Sequence, residues 1–289
     1  MNIRVKEIDM FDVIVIGAGP AGYEVALLLA KDNKKVCIVD KSENQIGGTC
    51  LNEGCIPAKN FLETASYIKK SAYFRTCGVD ISINSFDIEK LKDNTNILIN
   101  ESKQGILLKL KNAGVEIKYG TASFVTPNSI RVEKEVLNAD EFIIATGSSH
   151  RNHPVLPLIE NKIISSKEVF ELKEIPKSIL IVGGGAIGCE FATFFNALGS
   201  TVEIAEFTPS LVPVEDDDIA RTLKRELEKQ GIKVNLKTNV IWYEIVNDGI
   251  KITLDVKGKE EIKIYDKVLI SIGRTPNTKD LDLDVELPK

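Results

Sequence analysis

Two segments of the chain repeat the same pattern of apolar and polar positions. The first, residues 11–41, begins with an apolar run from Val13 to Ile16 and then passes through a glycine-rich turn. Apolar residues recur at helical spacing from Tyr23 to Ala30, and a second apolar run covers Val36 to Val39. Short continuous apolar runs on either side of a helix are typical of parallel strands that are buried on both faces. The pattern therefore predicts a βαβ unit.

The second copy covers residues 177–207. Its pattern predicts a strand from Ile179 to Val182, a helix from about Ala186 to Leu198, and a second strand that ends at Glu206. The first copy ends in the same way, at Asp40, and in both copies this acidic residue lies 23 positions after the first glycine of the turn. One supersecondary unit is thus used twice in the chain.

The pattern outside the two copies predicts further helices and strands. Helical spacing predicts a helix that starts near Pro57, a long helix over residues 87–112 and another over residues 219–230. Proline suits the first turn of a helix, because its missing N–H would have no partner there. Strand-like runs lie between residues 114 and 148 and after residue 231. The polar, proline-containing segment 148–162 predicts a connector between the two halves.

Composition narrows the function class. A chain of 289 residues can form two domains of ordinary size, and its formal net charge of −5 with no basic cluster argues against a nucleic-acid partner. The longest apolar run is about the size of "VALLLA", far short of the roughly 20 residues that a membrane span needs. The amino terminus contains no signal-peptide cleavage pattern, so we expect a cytoplasmic protein.

Both copies carry the motif Gly-x-Gly-x-x-Gly between strand and helix. One glycine allows a tight turn, one lets a pyrophosphate approach the backbone, and one allows close packing of helix on strand. The carboxylate of Asp40 or Glu206 can accept hydrogen bonds from ribose hydroxyls, and at Glu206 it would repel a 2′-phosphate, which favours NAD over NADP. Glycine turns also occur for purely structural reasons, but two complete copies predict two dinucleotide sites, a flavin and a nicotinamide. The motif glycines are Gly17, Gly19 and Gly22 in the first copy and Gly183, Gly185 and Gly188 in the second.

Cys50 and Cys55 lie close together in the stretch "GGTCLNEGCIPAK", residues 47–59. A disulfide needs Cα atoms about 4.4–6.8 Å apart, so the two can bridge only if the segment folds back on itself. Asn52 and Gly54 suit such a turn, and the positive end of a helix that begins near Pro57 would favour a thiolate. The pair is therefore a candidate redox pair.

Two other interpretations of the cysteines are weaker. A metal site is disfavoured because no second pair of closely spaced cysteines exists and the histidines, His150 and His153, lie in the connector. No metal ligand is therefore assigned. Ordinary buried thiols are the default interpretation for Cys37, Cys77 and Cys189, which are isolated in the sequence.

The stretch of residues 47–59 resembles the redox-active disulfide signature of the class I flavoprotein disulfide reductases, and most closely that of their dihydrolipoamide dehydrogenase members. The order of motifs is similar too, with "ATGS" (Ala145–Ser148) before the second glycine motif and "SIGRTPN" (Ser271–Asn277) after it. The resemblance covers essentially the whole chain. It implies an α/β fold of two Rossmann-like domains, with the NAD domain inserted into the FAD domain. The implied domains are residues 1–150 for FAD and the disulfide, 151–272 for NAD, and 273–289 for the start of the return into the FAD domain.

The resemblance also implies which residues would contact the cofactors. Those implied for FAD are Gly17, Gly19, Pro20, Ala21, Gly22, Asp40, Lys41, Gly48, Thr49, Lys59, Gly120, Thr146, Gly147 and Ser148. Those implied for NAD are Gly183, Gly185, Ile187, Gly188, Glu190, Glu206, Val240 and Gly273.

Four residues would take part in catalysis by resemblance. Cys55 would be the charge-transfer thiol beside the flavin, and Cys50 the interchange thiol that exchanges with the substrate. Lys59 and Glu190 would form an ion pair near the flavin N5, where the hydride arrives. The alternative for these two charged residues is a solvated position on a helix surface.

The implied reaction is oxidation of protein-bound dihydrolipoamide, with NAD reduced through FAD and the Cys50–Cys55 disulfide. The implied partners are the lipoyl domain of a 2-oxo acid dehydrogenase or glycine cleavage complex and, in the family, a second copy in a homodimer. A reductase of another disulfide, similar to glutathione or mercuric reductase, is the alternative.

The family continues after "SIGRTPN" with the rest of the FAD domain and a C-terminal dimerisation domain. That domain supplies a His–Glu pair, across the dimer, as the acid–base partner of the interchange thiol. The sequence contains no such segment. We therefore expect a fragment of a full enzyme or the product of a shortened or split gene, with a non-catalytic nucleotide-binding remnant as a further alternative.

Overall fold

A computed structural model describes residues 10–284 of the chain. Labels follow chain order. The helices are α1 (Pro20–Lys31), α2 (Gly48–Glu53), α3 (Cys55–Thr76), α4 (Ile88–Asn112), α5 (Ala186–Ala197) and α6 (Asp217–Lys229). The strands are β1 (Met10–Ile16), β2 (Val36–Asp40), β3 (Glu116–Tyr119), β4 (Ala122–Thr126), β5 (Ser129–Val132), β6 (Glu135–Ile144), β7 (Ser148–His150), β8 (Ile163–Ser165), β9 (Ser178–Val182), β10 (Thr201–Glu206), β11 (Lys233–Leu236), β12 (Thr238–Val246), β13 (Gly249–Val256), β14 (Lys259–Tyr265), β15 (Lys267–Ile270) and β16 (Arg274–Pro276).

The described chain divides into two compact units. The first consists of residues 10–56, 97–149 and 276–284, and the second of Pro57–Asn96 and His150–Thr275. The predicted α/β class is confirmed, and residues 150–275 are inserted into the first unit as expected. The division differs from the predicted domains in one segment, because residues 57–96 belong to the second unit. None of the described helices is long and apolar enough to cross a membrane.

The first unit is built on a sheet with the strand order β3-β2-β1-β6-β5-β4. The first four of these strands are parallel, whereas β5 and β4 run antiparallel to their neighbours. Val13 and Val15 of β1 pack in one core with residues of α1 and α4, while Ile14 and Ile16 pack in a core on the opposite face. Burial on both faces explains why the β1 sequence is continuously apolar.

The second unit is built on a parallel sheet with the order β11-β10-β9-β15-β8. One face packs against helices, and there Phe61 of α3 and Phe194 of α5 have ring centroids 5.2 Å apart. The other face packs against the antiparallel sheet β12-β13-β14. Phe61 and Ile88 are buried in the helix-side core, which explains why residues 57–96 group with this unit.

Candidate functional site

The two glycine turns have the same geometry in both units. Each follows a central parallel strand, β1 or β9, at the carboxyl end where nucleotides bind in sheets of this type. Gly17 and Gly183 both have φ +108°, a conformation that other residues rarely adopt. A Cβ at Gly17 would lie 2.3 Å from the carbonyl oxygen of Ala145, and one at Gly183 would lie 2.4 Å from that of Ser271. Glycine is therefore required at both positions by the fold.

The third glycine of each motif is required for packing. A Cβ at Gly22 would lie 1.8 Å from the carbonyl oxygen of Gly17, and one at Gly188 would lie 2.0 Å from that of Gly183. Backbone atoms cannot yield to such contacts as a flexible side chain can. The helix would have to move away from the turn, so the close packing predicted from the motif is present in both units.

The middle glycine of each motif is different, because the fold itself does not require it. Gly19 and Gly185 cap α1 and α5 with φ −70° and −71°, which any residue can adopt. A Cβ at Gly185 would meet nothing within 4 Å, and one at Gly19 would meet only the Cα of Gly48, at 3.7 Å. Glycine here keeps space open beside the free N–H groups of a helix amino terminus. That open space fits a dinucleotide pyrophosphate.

The two acidic residues lie at the ends of β2 and β10, as predicted, and they also hold the glycine turns. The Oδ2 of Asp40 accepts a hydrogen bond from the Ala18 N–H at 2.6 Å. Glu206 accepts from the N–H of Gly184 at 2.5 Å and from the N–H of Thr208 at 2.7 Å, and it is only 7% exposed. Sequence reasoning assigned these carboxylates to ribose and missed their role in shaping the turn.

The loops after β6 and β15 occupy equivalent places in the two units. Ala145 and Ser271 lie against the first glycine of each motif, and two residues later Gly147 and Gly273 both have positive φ, +68° and +112°. The predicted contacts of Thr146–Ser148 with one cofactor and of Gly273 with the other thus fall on equivalent positions. The equivalence supports both assignments, since each loop begins at a nucleotide turn.

Other predicted cofactor residues differ in what the structure allows. Gly120 is buried beside the first site, where its N–H donates to the Asp40 carbonyl at 2.8 Å. Val240 is 1% exposed and packs in the core under the three-stranded sheet, so its side chain contacts protein rather than ligand. The pocket-lining role predicted for Val240 is therefore open only to its backbone. The residues that stand exposed or half-buried on the surface are Pro20, Ala21, Lys41, Thr49 and Ile187.

The cysteine segment folds back on itself, as the predicted bridge requires. Cys50 lies in the short helix α2 and Cys55 is the first residue of α3. Gly54 separates the helices with φ −140° and ψ −118°, and a Cβ there would lie 2.7 Å from the Thr49 carbonyl oxygen. Asn52 was predicted to make the turn but is helical instead. Gly54 alone reverses the chain.

The same segment is joined directly to the first glycine turn. The Gly47 N–H donates to the carbonyl of Ala18 at 2.9 Å, and a Cβ at Gly48 would lie 2.6 Å from the Cα of Gly19. Asn52 closes this joint from the other side, since its Nδ2 donates to the Gly48 carbonyl at 2.9 Å. The helix that carries Cys50 therefore starts at the nucleotide turn, a contact that sequence spacing did not show.

The structure holds Cys50 and Cys55 in the thiol form rather than as the predicted disulfide, with Cys50 half-buried and Cys55 exposed. Cys37 and Cys189 are buried as expected, and burial raises the pKa of both thiols to about 12. The expectation of burial was wrong for Cys77, which is exposed in the turn after α3. Buried thiols with such raised pKa values are poor nucleophiles.

Lys59 and Glu190 form an ion pair within the second unit, as the resemblance implied. Lys59 lies on α3 and Glu190 on α5, 131 positions later in the chain. Their side chains are 61% and 35% exposed, so the pair contributes no more than about 1 kcal/mol to stability. An exposed pair of this kind orients its lysine rather than stabilising the fold.

The histidines have structural surroundings. The Nδ1 of His153 accepts the N–H groups of Val155 and Leu156, both at 3.1 Å, and burial lowers the pKa of this imidazole. His153 thus holds a turn in neutral form. Over residues 10–284, no group of three or more His, Cys, Asp or Glu side chains is placed to hold a metal ion.

Comparison with known protein families finds one match, which covers residues 11–289. The family is described as "pyridine nucleotide-disulphide oxidoreductase". A dihydrolipoyl dehydrogenase of Bacillus subtilis (strain 168) is 36% identical over 93% of this chain and 59% of its own length. A mitochondrial dihydrolipoyl dehydrogenase of Pisum sativum is 36% identical over 96% of this chain and 56% of its own.

A leghemoglobin reductase of Vigna unguiculata is 35% identical over 96% of this chain and 54% of its own. Among solved structures, the Cu(II) complex of the HOCl-induced flavoprotein disulfide reductase RclA from Escherichia coli superposes with a TM-score of 0.80 at 27% identity. It is matched over 95% of this chain and 59% of that one. The chain therefore spans less than two thirds of the length of the relatives that it matches.

Proposed function

This chain belongs to the pyridine nucleotide-disulphide oxidoreductase family, and on that premise we propose that it carries electrons between a thiol substrate and NAD through FAD and the Cys50–Cys55 pair. The proposed substrate is protein-bound dihydrolipoamide, which is oxidised to lipoamide. Relatives named dihydrolipoyl dehydrogenase, at 31–37% identity, support this choice.

Members of this family use FAD and NAD, which confirms the two cofactors predicted from the sequence. When bound, FAD supplies the two-electron path between thiols and nicotinamide. The open space at Gly19 would hold the pyrophosphate of FAD and that at Gly185 the pyrophosphate of NAD. The carboxylate of Glu206 favours NAD, because a 2′-phosphate placed beside it would be repelled.

The single observation that carries the proposal is the joint between the dithiol segment and the first glycine turn. Gly47 and Gly48 contact Ala18 and Gly19, so the helix with Cys50 begins at the cradle assigned to FAD. A purely structural thiol pair has no reason to be tied to a nucleotide turn. A redox pair has one, because electron transfer requires a short path between cofactor and thiols.

The proposed exchange assigns one role to each thiol. With the pair oxidised, a substrate thiolate attacks the sulfur of Cys50, which forms a mixed disulfide and releases Cys55 as a thiolate. The second substrate thiolate then attacks the substrate sulfur of that mixed disulfide, so that the substrate leaves as a disulfide and Cys50 as a thiolate. The two electrons now held by the dithiol leave toward NAD. Lys59, oriented by Glu190, would lie beside the flavin as a fixed positive charge.

A second candidate is a reductase of another disulfide. It is favoured by the names of two relatives, a leghemoglobin reductase and a disulfide reductase induced by HOCl. The proposed partner, a lipoyl domain of a 2-oxo acid dehydrogenase or glycine cleavage complex, separates the two candidates. A homodimer and a cytoplasmic location complete the proposal.

The test compares reduction of lipoamide by NADH with reduction of a dye after the purified chain has been incubated with FAD. A yellow protein whose Cys50→Ser and Cys55→Ser variants lose lipoamide turnover but keep dye reduction would support the proposal. Cys77→Ser is the matched control, since it removes an exposed thiol outside the motif. A protein that stays colourless with FAD, or lipoamide turnover that survives both motif substitutions, would contradict it. Turnover of another disulfide without lipoamide would support the second candidate.

A further inference from the structure

Asn277 makes three hydrogen bonds to the loop that follows β6. Its backbone N–H donates to the Gly147 carbonyl at 3.0 Å, and its side-chain Nδ2 donates to the Thr146 carbonyl at 3.0 Å. Its Oδ1 accepts a hydrogen bond from the Ser149 hydroxyl at 2.7 Å. All four residues belong to the first unit. One residue thus restrains three points of a four-residue loop.

These bonds determine which way the loop presents its N–H groups. None of the described peptide bonds is cis, and in a trans peptide the carbonyl and the following N–H point in opposite directions. Since the Thr146 carbonyl faces Asn277, the N–H of Gly147 faces away from it. Gly147 has φ +68°, and a Cβ there would meet nothing within 4 Å. The loop therefore displays a backbone donor next to open space.

The loop begins at the first nucleotide turn, because Ala145 lies against Gly17. We propose that Asn277 is a positioning residue for FAD: it fixes the peptide planes of Thr146 and Gly147 and thereby the donors that the loop offers to the cofactor. The inference rests on the proposed function and deepens it, since it assigns part of the FAD site to a residue of the returning chain.

Asparagine is well matched to this task. Its amide combines a donor, used on the Thr146 carbonyl, with an acceptor, used by the Ser149 hydroxyl. Aspartate has nearly the same shape and keeps the acceptor, but its second oxygen would face the Thr146 carbonyl and repel it. Alanine removes both side-chain bonds and leaves the backbone bond to Gly147.

The test measures the Kd for FAD from the quenching of flavin fluorescence in four proteins. Asn277→Ala should weaken FAD binding about 3- to 10-fold, the equivalent of one or two neutral hydrogen bonds. Asn277→Asp should weaken it at least as much at pH 8, and the defect should shrink as the pH falls, because a protonated carboxyl can again donate. Asn112→Ala, an exposed site at the end of α4 in the same unit, should bind FAD like the wild type.

Measurements on the second site distinguish positioning from general destabilisation. All variants should keep the wild-type Kd for NADH and a Tm within about 4 °C of the wild type. Wild-type FAD affinity in Asn277→Ala, or an equal loss of NADH and FAD binding, would overturn the inference while leaving the proposed function intact. A wild-type chain that binds no FAD would overturn the proposed function and this inference with it.

Discussion

Substitution of Gly185 by alanine separates the binding role of a motif glycine from its structural role. A Cβ at this position meets nothing within 4 Å, and the backbone conformation, φ −71° and ψ −177°, is open to alanine. The new methyl group would stand in the space that we assign to the NAD pyrophosphate. We therefore expect a stable protein that has lost most of its affinity for NADH.

The size of each effect follows from the surroundings of this glycine. Alanine is a poorer helix cap than glycine, which costs about 0.5–1 kcal/mol, but it also lowers the entropy of the unfolded chain by a similar amount in free energy. The net change in the free energy of unfolding should stay within about 1 kcal/mol, or about 4 °C in Tm. A methyl group forced against the pyrophosphate should cost about 1–3 kcal/mol, which corresponds to a roughly 5- to 150-fold higher Kd for NADH.

The assay combines NADH titration with thermal unfolding, and Gly188→Ala is the matched control. A Cβ at Gly188 would lie 2.0 Å from the Gly183 carbonyl oxygen and 2.8 Å from the Ser271 hydroxyl. That variant should lose about 3 kcal/mol of stability or more, because backbone must move. If Gly185→Ala bound NADH like the wild type, or unfolded as early as Gly188→Ala, the assignment of open space to the cofactor would be refuted.

Two further predictions concern side chains near the sites. Lys59→Met should change the absorption spectrum of bound flavin and slow its reduction by NADH, with less than about 1 kcal/mol of lost stability because the ion pair is exposed; an unaltered spectrum would argue against the role. Cys37 and Cys189, whose pKa values burial raises to about 12, should resist a thiol reagent at pH 8, where only about one thiol in ten thousand is ionised. At most three of the five cysteines should react in the native protein and all five after unfolding, so rapid native labelling of four or more would contradict the burial.

The sequence was sufficient for features that depend on local chemistry. A continuous apolar run next to a helical period can hardly be anything but a buried strand and its crossover helix, and β1, α1 and β2 lie where the pattern predicted. Glycine is informative for the same reason, since positive φ and close backbone contact exclude other residues at Gly17 and Gly22. The 87–112 helix was likewise predicted to within a residue, as α4 shows.

Only the tertiary structure decided how distant segments meet. Lys59 and Glu190 are 131 positions apart, and so are Thr146 and Asn277, yet both pairs are in contact. Charged and amide side chains are common on protein surfaces, and neither spacing nor periodicity distinguishes those that find a partner. The assignment of residues 57–96 to the second unit was decided in the same way, by the burial of Phe61 against helices that come later in the chain. Periodicity and backbone constraints act over a few residues and can be read from the chain, whereas partnership between side chains depends on the geometry of the folded sheets that bring them together.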